Sequence, residues 1–274
     1  MGQIKEPVEE PFGPGIPFIS ELKLDGMRLL ITRFNKKIRL YTRHKNEVTF
    51  QFKQFTNLDI PEGTIIDGEL VALNEMGVPD FELLMEKYRS KNSEGVQFVA
   101  FDVIRYQGED TTSLPLLERK RILNEIIPED NTLIAKTQFI EGHAKEYFQA
   151  IKDRGLEGIC LKRTDANRNS FYQVGKRSDT WLKLINYSYE TVQITGIRDG
   201  EFGAYLSFMD GRAAGVMEFA PKKDRIKIYD WARKTGNTDK QNNIWFNEAM
   251  KCEVKYRNLT SKGLLRIPSF DKWV

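Results

Sequence analysis

The sequence predicts an α+β fold, in which antiparallel sheets are flanked by helices and followed by a small β-barrel. Three observations support this: strand-like runs rich in β-branched and aromatic residues, helix-like runs between them, and no regular βαβ alternation. After about residue 188 the pattern changes to short strands and glycine turns, which is typical of a small barrel. We therefore expect two domains, residues 1–188 and residues 189–274.

The elements of the first domain follow a proline-containing, irregular lead-in over residues 1–17. Apolar and β-branched patterning predicts strands at 18–24, 27–34, 38–42, 64–73, 97–106 and 158–163. Apolar residues spaced about 3.6 apart predict helices at 81–88, 116–127 and 144–154. In the second domain, the predicted strands are 191–198, 205–209, 214–219, 251–256 and 268–274.

The composition is that of an ordinary globular protein, with 40% hydrophobic residues and a net charge of +3. Positive charge is concentrated in two places: residues 189–274 contain 15 basic and 11 acidic side chains, and residues 162–183 contain six and two. This distribution suits a polyanion bound at one face, although a solvated charged loop is an alternative for residues 162–183. Two cysteines, no signal pattern and no apolar run of membrane-spanning length predict an intracellular protein.

The segment Glu21-Leu22-Lys23-Leu24-Asp25-Gly26-Met27-Arg28 has the residue types of a lysine nucleophile. Lys23 attacks an electrophile only as a neutral amine, and an ordinary lysine, with a pKa of ~10.4, is almost entirely charged near pH 7.5. Arg28 or a bound metal would lower that pKa, and Asp25 would hold the metal or accept the proton. Gly26 would let the backbone turn close to a phosphate. The alternative is that Asp25 and Gly26 form the tip of a β-hairpin.

Five further motifs follow at intervals along the chain. They are Tyr41-Thr42-Arg43, Asp67-Gly68-Glu69, Phe98-Val99-Ala100-Phe101-Asp102, Glu157-Gly158-Ile159-Cys160-Leu161-Lys162 and Trp181-Leu182-Lys183-Leu184. Aromatic faces stack on bases, carboxylates bind ribose hydroxyls or Mg²⁺, and cationic side chains neutralise phosphates. Each motif alone is typical of a turn, a core aromatic or an exposed strand face, but together they predict a nucleotide pocket.

The ordered motifs KLDGMR, YTR, DGE, FVAFD, EGICLK and WLK resemble those of the ATP-dependent DNA ligases, within the covalent nucleotidyltransferase superfamily. Residues 256–270 are also similar to the end of the oligonucleotide-binding domain of these ligases. The resemblance implies a nucleotidyltransferase (ATP-grasp-like) domain at 1–188 and an OB-fold barrel at 189–274. It further implies that Lys23 takes AMP from ATP, that AMP passes to the 5′-phosphate of a DNA nick, and that the 3′-hydroxyl displaces it.

The same resemblance implies a role for each matching residue. Glu21 would accept a hydrogen bond from the adenine amino group, Phe101 would stack on adenine, and Arg28 and Glu69 would lie near the ribose. The implied catalytic residues are Lys23 and Asp25. The implied nucleotide-binding residues are Glu21, Leu22, Arg28, Arg43, Glu69, Phe101, Glu157, Lys162 and Lys183.

Phosphate and metal contacts are implied in the same way. Lys162 and Lys183 would line the α-phosphate, and Arg43 would hold the nick phosphate. The implied Mg²⁺ ligands are Asp25, Glu69 and Glu157. The implied partner is nicked double-stranded DNA, bound by a monomer without any membrane association.

The chain departs from the family pattern in two places. The family usually has a second lysine two residues after the position of Lys183, where this chain has Ile185. The sequence also ends at Val274, near the point where many relatives continue into a basic motif that orients pyrophosphate. With no clamping domain before Lys23, the resemblance is to a minimal two-domain ligase of the cytoplasmic kind found in bacteria, phages and large DNA viruses.

Other readings remain open at the level of sequence. One is an RNA ligase with the same chemistry, and another is a catalytically weak nucleic-acid-binding relative, for which Ile185 and the short C-terminus are the motivation. Residues 220–250, with basic side chains at Lys222, Lys223, Arg225 and Lys227, would be either an insert that encircles DNA or a solvated helix.

Overall fold

The computed structural model describes residues 1–166, 170–175 and 178–274, and these divide into two compact units, Met1–Ile185 and Asn186–Val274. Within the described residues the first unit contains two sheets with helices against them, and the second contains one sheet and one helix. The predicted α+β class is therefore confirmed. The assignments of residues 1–188 to a nucleotidyltransferase domain and of residues 189–274 to an OB-fold stay predictions.

Strands outnumber helices in both units. In chain order, the elements of the first unit are β1 (Gly2–Ile4), β2 (Phe18–Leu22), β3 (Met27–Phe34), β4 (Lys37–Thr42), a 3₁₀ turn (Lys53–Asn57), β5 (Thr64–Ala72), α1 (Phe81–Ser90), β6 (Val96–Tyr106), β7 (Glu109–Asp110), α2 (Leu116–Ile126), β8 (Ile134–Lys136), β9 (Phe139–Glu141), α3 (Ala144–Asp153), β10 (Gly158–Arg163) and β11 (Trp181–Ile185). Those of the second unit are β12 (Ser188–Ile197), β13 (Ala204–Phe208), β14 (Ala213–Met217), α4 (Lys222–Thr235), β15 (Gly236–Thr238), β16 (Ile244–Tyr256) and β17 (Ser269–Trp273).

In the first unit, the whole second sheet is inserted in the chain between two strands of the first sheet. The first sheet has the strand order β1-β11-β10-β2-β9, and the second has β4-β3-β5-β6-β7 with β8 beside β6. The strands of the second sheet all lie between β2 and β9 in the chain, so the backbone crosses between the sheets at residues 23–26 and again at 137–138. Because β2 and β3 belong to different sheets, the hairpin alternative for Asp25 and Gly26 is wrong.

Each sheet of the first unit has its own apolar core. The larger core lies on the second sheet, where Leu29, Ile66 and Phe98 pack with Leu84 of α1 and Leu123 of α2. A smaller core joins the first sheet to α3. Burial of both cores fixes the strands whose ends carry the candidate site residues.

The second unit is a six-stranded antiparallel sheet around a third core. Its strand order is β14-β13-β12-β16-β15, with β17 also paired to β16. The helix α4 occupies the segment 222–235 and packs Ile228 and Ala232 into this core, and whether residues 220–250 contact DNA stays a prediction. No helix of the described residues is long and apolar enough to cross a membrane.

Several elements differ from the expectations, and the strands β7, β8, β9, β11 and β15 were not predicted. The strand β1 lies in the lead-in predicted to be irregular, where it pairs in parallel with β11, and β16 begins at Ile244, seven residues before the predicted start at 251. The strand β1 is explained by pairing with a strand distant in sequence, which leaves little local signal, whereas the start of β16 pairs both with the distant β12 and with the nearby β15.

Candidate active site

A cleft opens between the two sheets of the first unit. Side chains of both sheets and of both crossings line it: Met1, Glu21, Leu22, Lys23, Leu24, Arg28, Glu69, Phe101, Thr137, Cys160, Lys162 and Trp181. Seven of these residues were singled out in the sequence as site residues. Its mixture of aromatic and charged groups suits a small polar ligand.

Lys23 lies at the first crossing, immediately after β2. Its backbone N–H donates to the carbonyl of Gly158 at 2.9 Å, and its ammonium donates to Oε2 of Glu157 at 2.8 Å. The Lys23 side chain is 19% exposed, so it remains open to the cleft while Glu157, at 5%, is almost buried. The structure thus brings the predicted nucleophile and one predicted metal ligand into direct contact.

Gly26 ends the same crossing and packs closely on β5. A Cβ at this position would collide with the carbonyl oxygen of Leu70 and would approach the Glu69 side chain to 2.9 Å. The close approach is therefore to the protein's own backbone, a reason for glycine that the sequence did not indicate. It holds the nucleophile-bearing crossing against the second sheet.

Glu21, on β2, is 1% exposed and is surrounded by cations. Its Oε1 accepts from Lys120 and from Thr137 Oγ1, the latter at 3.3 Å, and its Oε2 pairs with Lys162 at 2.6 Å. Burial alone would raise the pKa of Glu21, but the ammonium groups of Lys120 and Lys162 outweigh it and the pKa is lowered. The carboxylate is therefore ionised inside the cleft.

The ammonium of Lys162 lies over two aromatic rings. It is 4.7 Å from the centroid of Phe101 and 4.1 Å from that of Trp181, an arrangement that stabilises a desolvated cation. Lys162 is thus beside Glu21, in the part of the cleft predicted for adenine, and its predicted contact with the α-phosphate stays a prediction. Phe101 is the extra residue of a β-bulge between β5 and β6, which aims its ring into the cleft.

A second polar cluster joins Arg28, Asp67 and Tyr172. Arg28 binds Asp67 with two hydrogen bonds, of 3.0 and 2.6 Å, and its Nη2 also donates to the Tyr172 hydroxyl at 2.8 Å. The Tyr172 hydroxyl donates in turn to Asp67 at 2.7 Å. Burial raises the pKa of Asp67. This cluster fixes the guanidinium of Arg28 at 5.6 Å from the Phe101 ring centroid.

Glu69, on β5, also faces the cleft, where burial raises its pKa to about 7. The charge of Lys23 opposes this rise, and the nearby carboxylates of Asp67 and Asp25 add to it. Near neutral pH the Glu69 carboxyl is therefore close to half protonated. A bound cation would favour its ionised form.

Glu69 gives the fold a pH dependence that can be measured. The unfolded carboxyl ionises at about pH 4.5 and the folded one only at about pH 7, so unfolding releases a proton between these values and stability falls as pH rises through them. The cost reaches about 3 kcal/mol above pH 7. We expect Glu69→Gln to unfold several degrees higher, relative to the unmodified protein, at pH 8 than at pH 5, in thermal melts with a chelator. Glu75→Gln, at an exposed position, is the control, and an equal difference at both pH values for Glu69→Gln would contradict the assignment.

Three predicted site residues, Asp25, Arg43 and Lys183, are not among the described residues that line the cleft. Asp25 is on the Lys23 crossing, and Lys183 is opposite Cys160 in the pairing of β10 with β11. Arg43 is exposed just past the end of β4. Ile185 is buried at the end of β11, so its side chain belongs to the core.

Metal-binding groups and the basic segment 162–183 were also predicted from the sequence. The described residues contain no group of three or more His, Cys, Asp or Glu side chains arranged to hold a metal ion. Three basic residues of the segment 162–183 lie outside the described residues, namely Arg168, Lys176 and Arg177.

Four residues of the site were missed or undervalued in the sequence: Asp67, Lys120, Thr137 and Tyr172. Lys120 had a detectable signal in the sequence, since it lies four residues after Leu116 and three before Leu123, on the apolar face of the predicted helix. In the structure it is buried there. Thr137 and Tyr172 lie in connecting segments, whose positions depend on distant contacts.

Residues 4–184, which carry this cleft, match the family model described as the ATP dependent DNA ligase domain. The chain belongs to the ATP-dependent DNA ligase family. Over 267 residues the ligase is 41% identical to the SPbeta prophage-derived DNA ligase-like protein LigB of Bacillus subtilis, covering 97% of this chain and 96% of that protein. It is also 30% identical to the multifunctional non-homologous end joining protein LigD of Mycolicibacterium smegmatis, covering 91% of this chain and 35% of LigD.

Solved structures agree with the ligase fold. A mycobacterial DNA ligase D complexed with ATP and MES matches with a TM-score of 0.58 and 23% identity, over 100% of this chain and 94% of that one. A structure from a study of Lig E DNA ligases matches with a TM-score of 0.66 and 17% identity, over 100% and 98%. The multiple antiparallel sheets and few helices of the ligase are thus those of known DNA ligases.

Proposed function

We propose that this ligase seals 3′-hydroxyl/5′-phosphate nicks in duplex DNA through an AMP carried on Lys23. The observation that carries the proposal is the position of the Lys23 amine, open to the cleft and held by Glu157 at 2.8 Å. The amine would attack the α-phosphorus of ATP, forming a P–N bond as the bond to pyrophosphate breaks. Glu157, already hydrogen-bonded to the amine, is the group best placed to receive its proton.

The chemistry of the donors around Lys23 fits Mg²⁺. Glu157, Glu69 and Asp25 supply the hard oxygen ligands that this ion prefers, and Mg²⁺ is usually held by one or two carboxylates together with substrate phosphates, without a preformed cage. When bound there, the ion would offset phosphate charge and weaken the hold of Glu157 on the lysine ammonium. The raised pKa of Glu69 is consistent with a carboxyl that is fully ionised only beside a cation.

The opposite end of the cleft is proposed to bind adenosine. Phe101 would stack on the base, the ionised Glu21 would accept from its exocyclic amine, and Leu22 would line the pocket. Arg28 would lie near the ribose with Glu69. The bidentate contact of Arg28 with Asp67 supports this role because it fixes the direction of the guanidinium.

We infer that basic side chains of the segment 162–183 and of residues 189–274, where positive charge is concentrated, contact DNA phosphates. The nick phosphate would contact Arg43, and Lys183 would contact the α-phosphate. The second unit would be an OB-fold barrel, an interpretation supported by its small antiparallel sheet of six strands. We infer that the ligase acts as a monomer in the cytoplasm.

The test is sealing of singly nicked, labelled duplexes by the purified protein with ATP and Mg²⁺. We expect nicked DNA to be sealed far faster than nicked RNA. We also expect the affinity for nicked DNA to fall with salt by a slope of about 0.9 per phosphate contact. Preferential sealing of RNA would favour the RNA-ligase alternative, and the absence of ATP-dependent sealing would favour a non-catalytic binding protein.

A further inference from the structure

Lys120 has an unusual place in the cleft, because it is a fully buried lysine that comes from a helix outside both sheets. It lies on α2 and is 5% exposed. Its ammonium donates to Oε1 of Glu21, to the backbone carbonyl of Phe101 at 2.8 Å and to Oγ1 of Thr137 at 3.2 Å. An ammonium has three N–H donors, so this set accounts for all of them.

The three partners of Lys120 come from three separate parts of the chain. Glu21 is on β2 of the first sheet, Phe101 is at the bulge of β6 in the second sheet, and Thr137 is at the second crossing. A single ammonium therefore ties together the carboxylate, the aromatic ring and the crossing at one end of the cleft. Because its own donors are all used, Lys120 is unable to bind a ligand directly.

The hydrogen bonds around Glu21 leave room for one more donor. A carboxylate has about four acceptor positions. Lys120, Thr137 and Lys162 occupy three of them within the described part of the chain. The remaining position suits an N–H donor, such as the exocyclic amine of adenine, whereas a carbonyl oxygen in the same place would be repelled.

We propose that Lys120 is a positioning residue that sets base selectivity, by holding Glu21 oriented to accept one hydrogen bond from the 6-amino group of the nucleotide. This inference rests on the proposed function, since it assumes that adenosine occupies this end of the cleft. The neighbouring pair of Arg119 with Asp102, at 2.7 and 2.9 Å, anchors α2 to β6 and so fixes the position from which Lys120 reaches. Removal of the Lys120 ammonium would leave the Glu21 carboxylate held only by Lys162 and by the longer hydrogen bond of Thr137, and so less firmly oriented.

The test compares formation of the lysyl-nucleotide from ATP with that from purine riboside triphosphate, which lacks the 6-amino group. For the unmodified ligase we expect the ratio of kcat/KM values to favour ATP by about tenfold or more, the size of one hydrogen bond to a charged group. For Lys120→Met we expect this ratio to fall at least fivefold. A purely structural role would lower both rates together and leave the ratio unchanged.

Matched variants keep the result interpretable. Arg121→Met removes an exposed charge from the same helix and is expected to keep the full ratio. Lys120→Arg, which keeps the charge, is expected to recover most of it. If Lys120→Met gives no folded protein, Thr137→Val removes the hydroxyl shared by Lys120 and Glu21 and is expected to lower the ratio about twofold.

The outcomes separate this inference from the proposed function. If the unmodified ligase forms no lysyl-nucleotide from ATP, the proposed function fails. If it forms the adenylate but does not discriminate between the two nucleotides, or if both Lys120→Met and Thr137→Val keep the full ratio, the role of Lys120 is overturned while the proposed function stands.

Discussion

Replacement of Lys23 by alanine is expected to abolish covalent labelling of the ligase by α-labelled ATP, with a loss of at least about 1,000-fold. The reason is chemical, since alanine has no atom able to form a P–N bond and no neighbouring amine can take over without moving. The Lys162 ammonium is paired with Glu21 and lies over two aromatic rings, and Lys120 is committed to three acceptors. Labelling is measured by denaturing gel electrophoresis and located by mass spectrometry.

The control for Lys23→Ala is a lysine removed from the surface of the same unit. Lys145, on α3, has a half-exposed ammonium that pairs with Glu9 of the lead-in. The Lys145→Ala variant is expected to be labelled at the normal rate. Lys23→Ala is also expected to seal a nick whose 5′-phosphate is already adenylated, because that last step needs no lysyl-AMP. Unaltered labelling of Lys23→Ala, or an AMP found on a different residue, would remove Lys23 from its proposed role.

Replacement of Asp102 by asparagine is expected to give the largest loss of stability. Asp102 and Arg119 are both fully buried and share two hydrogen bonds. Loss of the carboxylate leaves a buried guanidinium without its counter-charge, which typically costs about 3–5 kcal/mol. For a unit of this size the midpoint of thermal unfolding is expected to fall by roughly 10 °C.

The matched control for Asp102→Asn is Glu125→Gln on α2. Glu125 pairs with Arg121 at 2.6 Å, but both side chains are about half exposed, and such a pair contributes little. Its unfolding midpoint is expected to stay within about 2 °C of the unmodified ligase. A similarly small change for Asp102→Asn would mean that the buried pair does not anchor α2.

The sequence allowed the three helices and six of the strands of the first unit to be predicted, since their apolar periodicity reflects the cores that bury them. Motifs on strand ends, such as Glu21 to Arg28 and Glu157 to Lys162, also indicated residues that meet in the cleft. What could not be predicted was pairing between distant parts of the chain. The contact of Lys120 with Glu21 joins residues 99 positions apart, and Tyr172 reaches Asp67 across 105 positions.

The contacts of Lys162 show a second limit of sequence patterns, although its predicted role at the α-phosphate stays a prediction. A lysine near the end of a motif indicates that a cation is needed, but its partner depends on the direction of the side chain. In the structure that partner is Glu21, flanked by Phe101 and Trp181. Similarly, the sequence did not show the close approach of Gly26 to the Leu70 carbonyl, and its expected place near a phosphate stays a prediction.

The insertion of the second sheet between β2 and β9 has a consequence for the local stability of the ligase. Both passages of the backbone from one sheet to the other lie at the cleft, with Lys23 on the first and Thr137 on the second. A nucleotide bound there would contact both of the described backbone segments that connect the two sheets, residues 23–26 and 137–138. We therefore expect a bound nucleotide to slow amide hydrogen exchange in β2 and β6 together, because its binding would stabilise both strands against local opening.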